Sequence, residues 1–247
     1  MNQILTYAQV LGYIRQNLLK NLSRLPTGNR LSKWLHKEQI EVLLDECDKN
    51  NHLCNGHLRN LVEFAILTGA RLNEILRFNL KDFNLKKTEF RIFTSKKRKS
   101  HTEYFRWFTI EQLGNRFVEL MRRINSHSKT GNFFVVKNGE PIKPVSFEHA
   151  FVKVRNKIGL GDTHIHDLRH TFCMHRAMVV KSFRQLQTEM GHSSAASIQK
   201  YLDEAQRFDI TESIFYQKNV PLSVVEKNQK QIEVSESLKS IEAKIAY

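Results

Sequence analysis

Five polar residues and one phenol are spaced along this chain in a way that could serve phosphoryl transfer. Thr68-Gly69-Ala70-Arg71 is followed by Glu74, and 25 residues after Arg71 begins the run Lys96-Lys97-Arg98-Lys99. Then come His166-Asp167-Leu168-Arg169-His170-Thr171, the pair Gly191-His192, and Tyr201 nine residues beyond His192. Residues three apart share a helix face, so Arg71 with Glu74 and His166 with Arg169 can each point into one site. A phenol has a pKa of about 10 and is almost wholly un-ionised at neutral pH. Attack by Tyr201 therefore needs a proton acceptor or strongly positive surroundings, and two arginines with His166 supply both. As a pentacovalent phosphorus forms, charge gathers on its non-bridging oxygens, which two guanidinium forks bind bidentately. Removing one such donor commonly costs about 10² to 10³ in rate. With the charge met by side chains no divalent cation is required, and no acidic cluster suited to one is evident. No metal and no cofactor are expected.

Singly, each feature has an ordinary explanation. An arginine after Thr-Gly is commonly a solvated helix start, a lysine-rich turn is commonly exposed, and a tyrosine on an amphipathic helix is commonly core. His164, His166, His170 and His175 invite a zinc reading, yet no glutamate follows His166 as a metalloprotease helix requires, and no cysteine pair completes a structural site. His164-Ile165-His166 also mimics the metal motif of rolling-circle nicking enzymes, which leaves Arg71 and Arg169 unexplained.

The elements that must carry these residues are mostly helices. Apolar residues at helical spacing predict a helix from Met1 to about Leu22, broken at Pro26-Thr27-Gly28, then helices over Leu31 to Cys47, His57 to Leu67, and from Arg71 to just before Asn79. Phe90 and Ile92 alternate with polar residues and Tyr104 to Phe108 reads as a return strand, giving a hairpin with a cationic tip. Further helices are expected near Ile110 to Ser126, Ser146 to Ile158, Asp167 to Val180, Phe183 to Met190 and Ala195 to Asp203, with another over 205 to 217. The fold class is mainly α with a small antiparallel β-sheet or hairpin.

Order and spacing together resemble the tyrosine recombinase family, also called phage integrases, whose relatives include Xer, Cre and lambda integrase. The resemblance covers roughly Leu31 to Phe215, including the segments Leu67 to Leu76 and His166 to Phe172. It implies that Tyr201 is the nucleophile, that Arg71, Arg169 and His192 contact the scissile phosphate, that His166 assists proton transfer, and that Glu74 supports the first arginine. The hairpin lysine that protonates the leaving 5′ oxygen is placed at Lys96, where a Ser-Lys pair closes the first strand, with Lys97 and Lys99 as alternatives. The implied protein is a metal-independent site-specific DNA recombinase working through a 3′-phosphotyrosyl intermediate, as a tetramer on two DNA sites. A type IB topoisomerase, or a catalytically silent architectural protein of the same fold, are the alternatives. Two departures stand out. Some thirty residues precede the catalytic part, where most members carry a helical clamp of about a hundred, and Ala70 replaces a larger apolar residue.

Composition agrees with a nucleic-acid partner. Thirty-nine Lys and Arg against 25 Asp and Glu give a net charge of +14, suited to polyanions. Lys97, Arg98, Lys99, Arg30 and Lys33 are the expected DNA contacts. Residues 1 to 37 hold six Lys or Arg and no acidic residue, as organelle transit peptides and DNA-following arms both do; the arm is favoured. No apolar run approaches the roughly 20 residues of a spanning helix. Cys47, Cys54 and Cys173 lack metal-ligand spacing and speak for reduced thiols in a cytoplasmic protein. Three parts are expected: a basic arm over 1 to 30, a catalytic domain over 31 to 217, and a tail over 218 to 247. In the tail Val234, Leu238, Ile241 and Ile245 form an apolar stripe with nearly balanced charge, which either docks on a neighbouring subunit or caps its own domain.

Overall fold

The computed structural model describes residues 2–20, 33–84, 88–94, 104–124, 131–136, 139–180, 182–191 and 195–216. The chain forms two compact units, Met1–Ser32 and Lys33–Tyr247. In the first, helix α1 (Asn2–Val10) is shorter than its apolar spacing suggests. The reason is local: the Asn17 amide donates to the Thr6 hydroxyl at 2.9 Å and its backbone N–H to the Gln9 side chain at 3.2 Å, folding the chain back on the helix.

The second unit is a helical body with a small sheet packed on it by one face. Its elements are α2 (Lys37–Lys49), α3 (Leu58–Thr68), the single turn α4 (Leu72–Ile75), β1 (Phe83–Asn84), β2 (Glu89–Thr94), β3 (Tyr104–Thr109), α5 (Ile110–Ile124), α6 (Pro144–Lys157), α7 (Ile165–Val179), α8 (Phe183–Met190) and α9 (Ala195–Ala205). The sheet is antiparallel in the order β1-β2-β3, with Phe90 opposite Phe108 and Ile92 opposite Arg106. Strand β1 is an addition to the expected hairpin. Side chains alternate across a strand, so Phe90, Ile92 and Thr94 face inward from β2, and Arg106 and Phe108 from β3. Phe90 stacks on Phe117 of α5 at 4.7 Å and on Phe108 at 5.3 Å. This aromatic stack joins the sheet to the helices, each fully buried ring contributing roughly 1.5–3 kcal/mol.

Helix α7 is the centre of the unit and packs against both α3 and α9. It settles two boundaries that periodicity misplaced. Helix α2 begins at Lys37, because the preceding chain lies along α7: the Leu35 N–H donates to the Thr171 hydroxyl at 3.0 Å and its carbonyl meets His175 Nε2 at 2.9 Å. Leu31 and Ser32 are outside the described residues. The stretch after α9 is likewise not an α-helix but a single 3-10 turn, Ile210–Glu212. There the Ser213 hydroxyl donates to the His175 carbonyl at 2.6 Å and the Ile214 N–H donates to His175 Nδ1 at 3.3 Å, so bonds to α7 hold the segment in place of a continued helical ladder.

Those two contacts fix His175 as the neutral tautomer, with Nε2 donating and Nδ1 accepting. Burial, opposed by the Leu35 carbonyl, pushes it down to about 4. Cys47 and Cys173 are buried, Cys54 is partly exposed, and all three are free thiols.

Candidate active site

Helix α3 ends at Gly69, whose left-handed backbone (φ 58°) turns the chain toward Arg71, and whose N–H donates to Ala65 O at 2.9 Å. An added Cβ at Gly69 would lie 2.4 Å from a Phe172 ring carbon, so this turn packs directly on α7. The Arg71 N–H donates to Glu74 at 3.0 Å and its guanidinium to the same carboxylate at 2.8 Å. Arg71 keeps 45% of its side chain exposed while Glu74 is buried. The three-residue spacing thus creates a held arginine with an open face.

Glu74 has a second cation, Arg106 of β3, at 2.9 Å. Arg106 is buried and also donates to the carbonyls of Thr68 at 3.1 Å and Glu189 at 2.9 Å. Its side chain lies under Gly191, where an added Cβ would fall 2.7 Å from Cδ. Arg169 ties the same two chain ends together, donating to the carbonyls of Gly69 and Met190. In turn α8 is anchored by Glu189, which forms a buried two-pronged ion pair with Arg176 of α7, at 2.8 and 2.7 Å.

Two inward arginines therefore clamp the end of α3, which leads to Arg71, to the end of α8, which leads to His192. Sequence reasoning missed Arg106, Arg176 and Glu189. The available signal was an arginine at an inward position of an apolar return strand, a buried charge that demands a partner.

The electrostatics follow. Burial works to raise Glu74, but Arg106 and Arg71 outweigh it and hold the carboxyl below its usual range. Burial, then the charge of Arg169, lowers Arg106 to about 10, against the pull of Glu74. Arg169 is also lowered, by burial first and by Arg71 among its neighbours. Three guanidinium charges against the one Glu74 carboxylate leave this cluster two positive charges in excess, a surrounding that favours an anion.

Helix α7 carries His166, Arg169 and His170, and His170 meets α9. Its first turn is capped by Asp167, which accepts the His164 N–H at 2.7 Å. His166 is lowered by burial first, then by Arg169 and Arg71. Its ring stands edge-on to His170 at 4.9 Å. Tyr201 of α9 is buried, its hydroxyl hydrogen-bonded to Nδ1 of His170 and electrostatically coupled to Arg169. So Arg71, Glu74, His166, Arg169 and Tyr201 gather at one place.

Lys33 lies on an exposed surface, paired with Asp162 at 2.9 Å. His192, Lys96, Lys97, Arg98, Lys99 and Arg30 lie outside the described residues, as does the tail from 217. Among the described residues no group of three or more His, Cys, Asp or Glu converges as a metal-ligand set. Among them, too, no helix is long and apolar enough to cross a membrane.

The chain belongs to the phage integrase family, whose sequence profile matches residues 33–207. Among curated relatives it is 28% identical over 210 residues to tyrosine recombinase XerC of Actinobacillus succinogenes, covering 81% of this chain and 66% of that one. It is 26% identical over 200 residues to XerC of Alcanivorax borkumensis, covering 77% and 62%. To tyrosine recombinase XerH of Helicobacter pylori it is 27% identical over 211 residues, covering 82% and 58%. The chain thus spans under two thirds of these relatives' lengths. Its fold is that of a XerH recombinase in a post-cleavage complex with difH (TM-score 0.56, 24% identity, 79% of this chain and 57% of that one). A lambda integrase dimer bound to a core site is similar too (TM-score 0.60, 16% identity, 89% and 60%).

Proposed function

We propose that this protein is a site-specific DNA recombinase that cleaves and rejoins DNA through a covalent 3′-phosphotyrosyl intermediate, without a metal ion. The observation that carries the reading is the convergence of Tyr201 with Arg169, and of Arg71 through Glu74, on one positively charged cluster. Tyr201 Oη forms a bond to phosphorus as the bond from phosphorus to the 5′ oxygen breaks. Arg71 and Arg169, with His192, hold the non-bridging oxygens, and the open face of Arg71 is the entry point for the phosphate. His166, whose charged form is disfavoured by burial and then by Arg169 and Arg71, assists transfer of the phenol proton. Lys96, or Lys97 or Lys99 beside it, protonates the departing 5′ oxygen. The phosphotyrosyl ester conserves the bond energy, and attack by a 5′ hydroxyl reverses each step.

Double-stranded DNA is the substrate. Lys97, Arg98, Lys99, Arg30 and Lys33 contribute contacts to it from the basic hairpin and arm. The working assembly is a tetramer on two sites, acting where cytoplasmic DNA is accessible, with the tail over 218 to 247 docked on a neighbour. A truncation after Tyr216 that assembles and recombines normally disproves the tail's role.

The central test uses a pool of nicked duplexes of randomised sequence, incubated with protein in EDTA and run on a denaturing gel. Wild-type protein forms a covalent adduct that Tyr201→Phe does not. Absence of any adduct from wild type refutes the reading, and an adduct that forms only with added Mg²⁺ refutes its metal independence.

A further inference from the structure

The scheme above leaves one imidazole unused. His170 sits next to Arg169 in sequence and one helical turn from His166, at a position to which the spacing argument gave no role. Its ring lies tilted against the Tyr201 ring with centroids 5.9 Å apart, and Nδ1 bonds the Tyr201 hydroxyl. The Cys173 thiol, one turn further along α7, also meets that hydroxyl. Burial raises that thiol to about 12, so it stays protonated and cannot serve as a base.

The direction of the His170–Tyr201 bond matters. Burial first, then His166, Arg169 and Lys200 against the pull of Asp167, push His170 down to about 4, so it is neutral at physiological pH. The phenol, with a pKa of about 10, keeps its proton in the resting state. A neutral imidazole carries one proton. Placed on Nε2, that proton leaves Nδ1 bare to accept the phenol O–H. Placed on Nδ1, it would be donated to Oη and leave no acceptor at Nδ1 for the phenol proton.

We propose that His170 is a further catalytic residue, the general base whose Nδ1 takes the Tyr201 proton as the bond from Oη to phosphorus forms. The inference rests on the recombinase reading of the same site. In the step, the O–H bond of Tyr201 breaks and its proton passes to Nδ1, giving an imidazolium. The bond from phosphorus to the 5′ oxygen breaks with its electron pair on oxygen, which takes a proton from the hairpin lysine. The phenol becomes acidic as phosphorus bonds to its oxygen, so a base that is weak at rest suffices. A bound phosphodiester also offsets the charges of Arg71 and Arg169, and favours the imidazolium. His170 keeps that proton while the phosphotyrosyl ester stands. On rejoining, the imidazolium donates to the departing Tyr201 oxygen.

The test measures single-turnover adduct formation on the randomised nicked pool for wild type, His170→Asn and His170→Ala. Asparagine can accept the phenol hydrogen bond but cannot carry off a proton. Both variants are expected to form the adduct about 10² or more times slower, while retaining the same pool DNA on a filter and melting within a few degrees of wild type. Free imidazole partly restores His170→Ala. A 5′-bridging phosphorothiolate, whose sulfur leaves without protonation, restores neither variant. Wild-type rates in His170→Asn would reduce His170 to a hydrogen-bond support and overturn the proposal, as would full rescue by the phosphorothiolate. Should His170→Asn and His170→Ala not fold, His170→Gln is measured in their place, and wild-type rates in it count against the proposal equally. Loss of adduct from wild type itself removes the recombinase reading and this inference together, whereas a wild-type adduct with unimpaired variants removes this inference alone.

Discussion

Glu74→Gln isolates the charge network beneath the site. Arg106 is 2% exposed and Glu74 7%, and their 2.9 Å pair sits beside buried Arg169 and the more exposed Arg71. Breaking a buried pair by removing one charge costs about 3–5 kcal/mol, because the other charge stays desolvated. The Arg71 pair adds little, since Arg71 is largely solvated, and exposed pairs contribute about 0–1 kcal/mol. The expected loss is therefore roughly 3–4 kcal/mol, a large part of the 5–15 kcal/mol typical of a domain. Urea unfolding monitored by circular dichroism measures it. The decisive sample is the double variant Glu74→Gln with Arg106→Met, which removes both charges and leaves neither stranded. If the pair is the unit, the double variant is more stable than the sum of the single losses by about 1–3 kcal/mol. Additivity within about 0.5 kcal/mol would refute the reasoning, showing that Arg106 is held by the Thr68 and Glu189 carbonyls alone.

Two more outcomes follow from the geometry. His175 titrates near 4 folded and near 6.5 unfolded, so the unfolded state binds more protons between those values. Stability is then complete above about pH 6.5 and falls as pH drops toward 4, by up to roughly 3 kcal/mol from this residue. His175→Gln should flatten that limb of a urea midpoint against pH curve, and an unchanged slope contradicts the assignment. Gly69→Ala places a Cβ 2.4 Å from the Phe172 ring at φ 58°, combining about 1–2 kcal/mol of left-handed strain with about 1–3 kcal/mol of overpacking. A thermal melt within a degree of wild type would show that the turn relaxes freely.

The sequence by itself determined most of the helices, the inward alternation of Phe90, Ile92 and Phe108, and the residue types able to handle a phosphate, because periodicity and side-chain chemistry are local properties. It also paired Arg71 with Glu74, whose contact spans one helical turn. Only tertiary structure decided that Glu74 shares its carboxylate with Arg106, 32 residues away, and that Arg169 grips Gly69, 100 residues away. It likewise decided that the Tyr201 hydroxyl faces His170 of α7, and that the segments before α2 and after α9 hydrogen-bond to α7 in place of forming α-helix. A hydrogen bond between distant residues costs a loop closure that no window of sequence reports. Buried charges take whichever partner the packed fold delivers, because leaving them unpaired costs more than the folded state can spare.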